Sequence, residues 1–508
     1  MEFQALFYCL IKETIFLNSM KVVAKRILIV GFIVATLIVL EVTSEESMMN
    51  NLPTHDEIVQ SIIDRNEQTA VIDQAFEDGY DQEAEYEKLF SYDIRHTFVI
   101  EFTQEEWDGL NQDMYDYYEQ YGNYRSNNYR RVNVTYIAGD EITEIQEVGI
   151  RSKGNDFSRV PPESENGTVT PIHYMMKFNE TFDYVEGTDE YDDLKTRDVF
   201  DIEQLLFKSN NTNDPGYTNE VFSYEMFRQV GVPIVRASYA DVRLVVAGKV
   251  VMVELYNIFE QFDEEFIRKS LQEVPRKEVG DLYKGLWSGT LDPIYSSQDY
   301  GVRDWESNYR PLYGKETNKD VDTSNLLIDF SFGININDLN SRKEFIENYF
   351  NIDNFMRAMA VNVLVGNPDD YRGNANNFYY YFDEVGYLTY LPFDYDNSMG
   401  AGWPGHPSFI NYTLGNDIYE WGWESWMPCG KPLWDNTIVY EEYQILYEDY
   451  LIEFIEDGTF SEESYLAIYN KAEEFYSDIA DLRYDKTNYI TTKIEVVTED
   501  VEYYKSQR

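Results

Sequence analysis

The 508-residue chain reads as an α+β protein with two lobes, a strand-rich one followed by a helix-rich one. Three observations carry that reading. Residues 95–260 hold short runs in which apolar and polar side chains alternate, the period a strand imposes. After about residue 262 apolar residues recur mostly at the helical period. The composition is 43% hydrophobic and 26% charged, so a core can form. At roughly 150 residues per domain, the length suits two to four domains or one large bilobed unit.

The elements follow in order. Ile27–Leu40 is an apolar run preceded by Lys21, Lys25 and Arg26 and followed by Glu41, Glu45 and Glu46. At about fourteen residues it is short of the roughly 20 that span a bilayer, and its basic flank fits a signal peptide, with Met20 as the natural start. Residues 1–44 are therefore expected to be a signal peptide or uncleaved signal anchor. Residues 45–92 read as an acidic linker with peripheral helices, from the spacing of Ile58, Ile62, Ile63, Ala70, Ile72 and Ala75. The strand-rich lobe is assigned to 93–261. It opens with a strand at His96–Phe102 and a helix at Thr103–Glu119, where Thr103 and Glu106 have capping-box spacing. Strands are expected at Arg131–Ile137, Glu147–Arg151 and Ile172–Phe178. A helix follows at Asn219–Val230, then a hairpin of Ile234–Val246 and Val250–Asn257 turning at Gly248. The helix-rich lobe is assigned to 262–508, with helices at Phe262–Leu271, Ser341–Ile352, Asp353–Val365, Tyr440–Asp457 and Ser461–Ile479. A hairpin of Asn377–Phe382 and Tyr387–Leu391 interrupts them, turning at Asp383–Gly386. The Gly- and Pro-punctuated stretch 272–325 is expected to be a loop covering a site.

Charge narrows the function. Asp plus Glu total 93 against 41 Lys plus Arg, a net −52, which sets the chain against nucleic acid and anionic lipid. The two cysteines, Cys9 and Cys429, cannot build a disulfide framework, and four histidines leave little room for a His-rich metal site. Any metal would be a hard cation on carboxylates: Mg²⁺, Mn²⁺ or Ca²⁺.

The densest chemical signal lies in residues 366–403. A loop with Asn367, Asp369, Asp370, Arg372, Asn374, Asn376 and Asn377 is followed by the hairpin and then by Asp394-Tyr395-Asp396-Asn397. A hairpin brings its flanks together, so two acidic loops about 25 residues apart come side by side. That layout suits a divalent cation and phosphoryl transfer, and Asp369 to Asn374 has the D-x-x-x-x-N spacing of a kinase catalytic loop. A second signal is Gly149-Ile150-Arg151-Ser152-Lys153-Gly154-Asn155, a strand ending in cations and a glycine, suited to an anion. A third is Lys177 in the apolar strand Tyr174–Phe178, which needs a carboxylate partner if buried. Glu220 or Glu225 of the next helix could supply it.

These residues together resemble the spore-coat-protein-H (CotH) kinase family. The likeness runs from about His96 to about Gly400, and more loosely to the C-terminus. Its carriers are Gly149–Asn155, the Lys177 strand, the helix entering Gly231-Val232-Pro233, Val253–Glu260, Gly280-Asp281-Leu282-Tyr283-Lys284, Asn367–Tyr371 with Asn376–Tyr381, and Pro392–Gly400. The resemblance implies an atypical protein-kinase-like two-lobed fold. It implies transfer of phosphate from ATP, with Mg²⁺ or Mn²⁺, to Ser or Thr of an exported or coat protein. By it, Asp369 is the catalytic base, Asp394 or Asp396 binds metal, and Asn374 or Asn377 assists. Arg151 and Lys153 lie in the phosphate-side loop. Lys177 meets the α- and β-phosphates, oriented by Glu220 or Glu225, and Val253–Phe259 is the hinge beside adenine. The chain departs from the family at Phe393, where Trp is frequent, at Pro368-Asp369-Asp370, where Trp-Asp-Gly is frequent, and at Asp156-Phe157, where the loop usually has Ser-Ser. The net charge points to a basic, Ser-rich protein partner. Nucleic acid is not expected as a partner, and membrane only through the N-terminal segment. The expected location is extracellular, on the cell surface or in a spore coat. The competing readings are an inactive kinase relative, a Ca²⁺-stabilised surface or coat binding protein, and a coat scaffold assembled through Tyr-rich faces.

Overall fold

The computed structural model describes residues 69–71, 81–155, 159–209, 217–272, 279–321, 324–402, 411–421, 429–482 and 486–508. The expected signal segment 1–44 lies outside the described residues, as do most of the 45–92 linker, Asp156 and Phe157. The architecture is mixed α+β, with two sheets and 12 helices among the described residues.

The first sheet contains β1 (Thr69–Val71), β2 (His96–Phe102), β3 (Arg130–Ala138), β4 (Glu141–Lys153), β5 (His173–Lys177), β6 (Gln204–Ser209), β7 (Ala237–Val246) and β8 (Lys249–Glu260). Its order is β1-β4-β3-β2-β7-β8-β6-β5. β4 also pairs with β5, from Gly149↔Lys177 to Lys153↔His173, so the sheet closes on itself. Between these strands in sequence come α1 (Gln82–Leu89), α2 (Gln104–Tyr121), α3 (Asp189–Lys195) and α4 (Asn219–Gln229). The Thr103 hydroxyl accepts the Glu106 N–H and caps α2, as the Thr-x-x-Glu spacing predicts.

Strand alternation divides the side chains between two cores. Ile100, Tyr136, Tyr174, Met176, Leu205 and Phe207 enter one, which α1 and α2 help to cover. Their neighbours Met175 and Leu206 enter the other, with α4. The Lys208 position falls on the Leu206 face, the side toward α4.

After α5 (Glu264–Ser270), a second sheet forms from β9 (Asp281–Gly285), β10 (Tyr300–Gly301), β11 (Tyr313–Lys315), β12 (Phe378–Phe382) and β13 (Leu388–Pro392). The order is β10-β11-β9-β12-β13. Helices α6 (Asn325–Gly333), α7 (Leu339–Tyr349), α8 (Ile352–Val365), α9 (Pro432–Asp435), α10 (Glu441–Glu456), α11 (Glu462–Tyr476) and α12 (Thr487–Gln507) complete the chain. α8 is buried from Asn354 to Val365 except at Arg357, and packs against α4, α10, α12 and β13. Asn351 caps its start, and Gly366, at φ 68°, ends it and turns the chain into the Asp369 loop. No helix among the described residues is long and apolar enough to cross a membrane.

Three expectations are corrected. The stretch 272–325 is not simply loop: β9, β10 and β11 lie in it, and β9 pairs along the full length of β12. Val253–Phe259 is not a connecting hinge. It lies inside β8, where Phe259 pairs with Leu206 on one side and Ala237 on the other, and β8 ends only at Glu260. The boundary between the helices expected at Ser341–Ile352 and Asp353–Val365 falls earlier, at Phe350-Asn351.

Candidate active site

The hairpin β12–β13 brings the two acidic loops together, as its length predicts. The Phe393 N–H donates to Asn377 O at 3.1 Å. Asn367 joins the loops, taking the Asp369 N–H on its Oδ1 at 3.0 Å and donating from Nδ2 to Asp394 O at 3.3 Å.

The Asp369 carboxylate is enclosed by amides. Asn374 Nδ2 donates to Oδ1 at 2.6 Å, and Asn377 Nδ2 donates to Oδ2 at 2.9 Å and to the backbone O at 3.1 Å. Asn376 is a third, longer donor at 3.5 Å. Burial pushes the Asp369 carboxyl up to about 7, against the amide hydrogen bonds and with the negative fields of Asp394 and Asp396. Asp370 serves the backbone instead, since its Oδ1 accepts the Gly373 N–H at 2.5 Å and shapes the turn.

On the other loop, Asp394 adopts φ 61°, a left-handed conformation rare outside glycine. α4 holds it there. Asp394 N–H donates to the Tyr224 hydroxyl at 3.1 Å, and Tyr395 N–H donates to Glu220 Oε1 at 3.1 Å. Asn219 Nδ2 donates to Ser398 O at 3.2 Å, and the hydroxyls of Ser223 and Ser398 meet at 3.0 Å.

Lys208 joins the halves of the cluster. From β6 its Nζ reaches Glu220 Oε2 at 2.8 Å, Asp394 Oδ1 at 2.5 Å and Asp396 Oδ2 at 3.3 Å. Burial alone would lower the ammonium pKa, but Asp394, Asp396 and Glu220 hold it well above the usual lysine range. Glu220 is pushed up to about 8, chiefly by burial, with Lys208 pulling the other way. Lys208 thus faces Asp394 and Asp396 as well as Glu220, so negative charge exceeds the one ammonium in the cluster even when Glu220 carries its proton.

That excess fits a divalent cation. Among the described residues, no three His, Cys, Asp or Glu side chains are arranged to hold a metal by themselves. Mg²⁺ is usually held by one or two carboxylates plus substrate phosphates and waters, and Asp394 with Asp396 match that donor set.

Lys177 stands elsewhere. Its Nζ pairs with Glu180 at 2.9 Å and lies over the Tyr129 ring at 5.7 Å. It sits four residues along β5 from His173, about 13 Å at strand spacing, whereas His173 Nδ1 accepts the Ser209 N–H beside Lys208. Glu225 pairs with Arg228 at 2.6 Å. The expected partnership of Lys177 with Glu220 or Glu225 is therefore replaced by Lys208–Glu220. The sequence held a signal for it: Leu205-Leu206-Phe207-Lys208 is an apolar strand ending in Lys, and it directly precedes the helix that carries Glu220.

Arg151 and Lys153 end β4, where Lys153 pairs in register with His173. The Arg151 guanidinium lies over Tyr129 at 5.1 Å and donates to Ser152 O at 3.1 Å. Lys153 has no ion-pair partner among the described residues. Burial lowers its ammonium well below the usual range, and Arg151 and Lys284 lower it further. Gly154, at φ 123°, continues the loop toward the undescribed 156–158.

No curated protein matches the chain. Among solved structures it is similar to a chain of the Shewanella oneidensis MR-1 toxin–antitoxin complex of HipA, HipB and operator DNA. The identity is 10% over 60% of this chain and 58% of that one, with a TM-score of 0.23, too slight a likeness to carry an argument. The model of the family described as CotH kinase protein matches residues 182–508, more than half of the chain. The matched stretch starts after Lys177 and takes in Lys208, Glu220, Asp369 and Asp394. The chain belongs to the CotH kinase protein family.

Proposed function

We propose that the chain is a metal-dependent protein kinase that transfers phosphate from ATP to Ser or Thr of an exported or coat protein. The observation that carries the reading is the Lys208–Glu220 ion pair joined directly to Asp394. A strand lysine, a helix glutamate, two further strands, a crossing, a base aspartate with nearby asparagines and a metal-binding aspartate form the order of parts in protein kinases. In this two-lobed reading the crossing lies at Gln261–Asp263, after β8.

Lys208, steadied by Glu220, would bind and orient the nucleotide phosphates. Asp394 and Asp396, with an amide oxygen of Asn374 or Asn377, would hold Mg²⁺ or Mn²⁺, which supplies charge neutralisation on the phosphate oxygens. Asp369 would accept the proton of the acceptor hydroxyl. Its carboxyl, near 7, is suited to a base working at neutral pH, and its amide partners fix its orientation. Catalysis then rests on positioning and electrostatics. The acceptor is proposed to be basic and Ser-rich, drawn in by the net −52. Export is inferred from the apolar run 27–40 and its basic flank.

The test is label transfer from γ-labelled ATP to a basic Ser-rich peptide with Mg²⁺ or Mn²⁺. Asp369→Asn, Asp394→Asn and Lys208→Met should each lower the rate about 100-fold or more, and Lys177→Met should leave most of it. Absence of transfer, together with absence of metal-dependent stabilisation by ATP, overturns the proposal.

A further inference from the structure

A second group of cations lies beside the Lys208 cluster. Lys284 is on β9, and its Nζ sits 4.3 Å from the centre of the Phe393 ring and 5.4 Å from that of Tyr379. Phe393 immediately precedes Asp394. Arg303 lies in the segment between β10 and β11. Its Nε and Nη2 are buried with no hydrogen-bond partner among the described residues.

The second sheet brings the two together. Gly314 of β11 pairs in register with Lys284. A Cβ added at Gly314 would lie 3.6 Å from Arg303 Nη2 and 3.9 Å from Nε. The guanidinium therefore lies over a strand position that carries no side chain, opposite Lys284. Lys153, also unpartnered among the described residues, is close enough for Lys284 to depress its ammonium.

Arg303 also lies over the Trp305 ring at 5.2 Å, but a ring face does not satisfy its two buried N–H-bearing nitrogens, and such groups persist where an absent anion completes them. Asp394 is the carboxylate that acts most on Lys284, and Glu316, itself paired with Lys319 at 3.2 Å, is the one whose field all three cations share. In a chain with 93 acidic residues, three cations without a carboxylate partner among the described residues form a binding site rather than a leftover. A planar guanidinium beside an ammonium suits the several oxygens and double charge of a phosphate group.

We propose that Lys284 and Arg303, with Lys153 nearby, form a phosphate-binding site next to the Asp394 loop, separate from Lys208. The phosphate is either the terminal group of the nucleotide or one already carried by the acceptor. The assignment to a nucleotide or an acceptor rests on the kinase reading; the anion site itself does not.

The first measurement is binding of inorganic phosphate to the full-length protein in metal-free buffer, by calorimetry and thermal shift. Wild type should bind, and Lys284→Met and Arg303→Met should each weaken binding about tenfold or more. Lys284→Arg should retain most of it, and Asp394→Asn should not weaken it. Circular dichroism checks that each variant is folded, and should Arg303→Met fail to fold, Arg303→Lys and Lys284→Met decide. Failure of wild type to bind, or equal binding by wild type and the Met variants, overturns the site. Two further arms separate the sources. Weaker affinity for ATP with unchanged affinity for ADP assigns the nucleotide. A raised KM for a phosphoserine-containing peptide, with the KM for ATP unchanged, assigns the acceptor. Phosphate binding without any label transfer would uphold the site and sink the kinase reading instead.

Discussion

Single buried groups set how this protein answers to pH. The His96 side chain is fully buried, with Nδ1 2.9 Å from the Tyr136 hydroxyl and Nε2 2.9 Å from Ser91 O. Both nitrogens are satisfied by a neutral ring, and burial pushes the imidazole down to about 4. In the unfolded chain it titrates near 6.5. Between those values the unfolded state takes up a proton that the folded state refuses. Stability present above about 6.5 is therefore lost as pH falls toward 4, by about 3 kcal/mol in the limit. His96→Gln should show a smaller drop in urea midpoint between pH 7 and pH 5 than wild type does. An equal drop would remove His96 as a cause. The same scale explains why one site residue was hard to read. The Asp369–Asn374 spacing and both acidic loops were visible in the sequence because turns and hairpins are local. The choice between Lys177 and Lys208 was not, since each ends an apolar strand. Pairing of β6 with β8, and the docking of α4 on that face, decide which lysine meets Glu220.

Elements report the same division between local and distant causes. Helices α7, α8, α10 and α11 and most strands of the first sheet follow from periodicity. β9, β10 and β11 do not, because runs of 5, 2 and 3 residues broken by glycines show no period. They become strands by pairing outward from β12: β9 on β12, β11 on β9 and β10 on β11. α12 was hidden for another reason: Ile490, Thr491, Thr492, Ile494, Val496 and Val497 are β-branched and have modest helix propensity. Its helical state is fixed by burying Tyr489, Ile490, Lys493, Val497 and Val501 along one stripe. The fit of β9 to β12 can be tested at Gly285. A Cβ there would lie 1.8 Å from the Phe378 ring, so neither strand can keep its place without the ring moving. Gly285→Ala should destabilise the protein by about 1–3 kcal/mol. It should also lower phosphoryl transfer, because β9 carries Lys284 and β12 continues from Asn377. Gly415→Ala, where a Cβ meets nothing within 4 Å, is the control and should stay within about 0.5 kcal/mol of wild type. Equal melting temperatures for the two variants would show that β9 and β12 have slack.

At the scale of the molecule, one field acts with two signs. A net charge of −52 on 508 residues repels itself in the folded state and attracts cationic partners. Ion pairs relieve little of this repulsion, since 41 basic residues face 93 acidic ones and several basic ones are committed at the site. Salt shortens the reach of exposed charges from about 30 Å at 0.01 M to about 3 Å at 1 M. Raising NaCl from low concentration should therefore raise the melting temperature by screening the self-repulsion. Over the same range, kcat/KM for a basic Ser-rich peptide should fall as capture from a distance weakens. A neutral Ser peptide should change little, because its encounter owes nothing to the field. The Lys284–Arg303 group works locally against the overall charge, admitting an anion where the rest of the surface repels one. That local effect predicts a contrast within one experiment. Salt should lower turnover of the basic peptide mainly through KM, with kcat nearly constant, because the groups holding phosphate are buried and poorly screened. A basic peptide whose kcat/KM ignores salt would show that the acidity serves solubility alone. A kcat that falls with salt as steeply as kcat/KM would place the screened contact inside the site rather than along the approach to it.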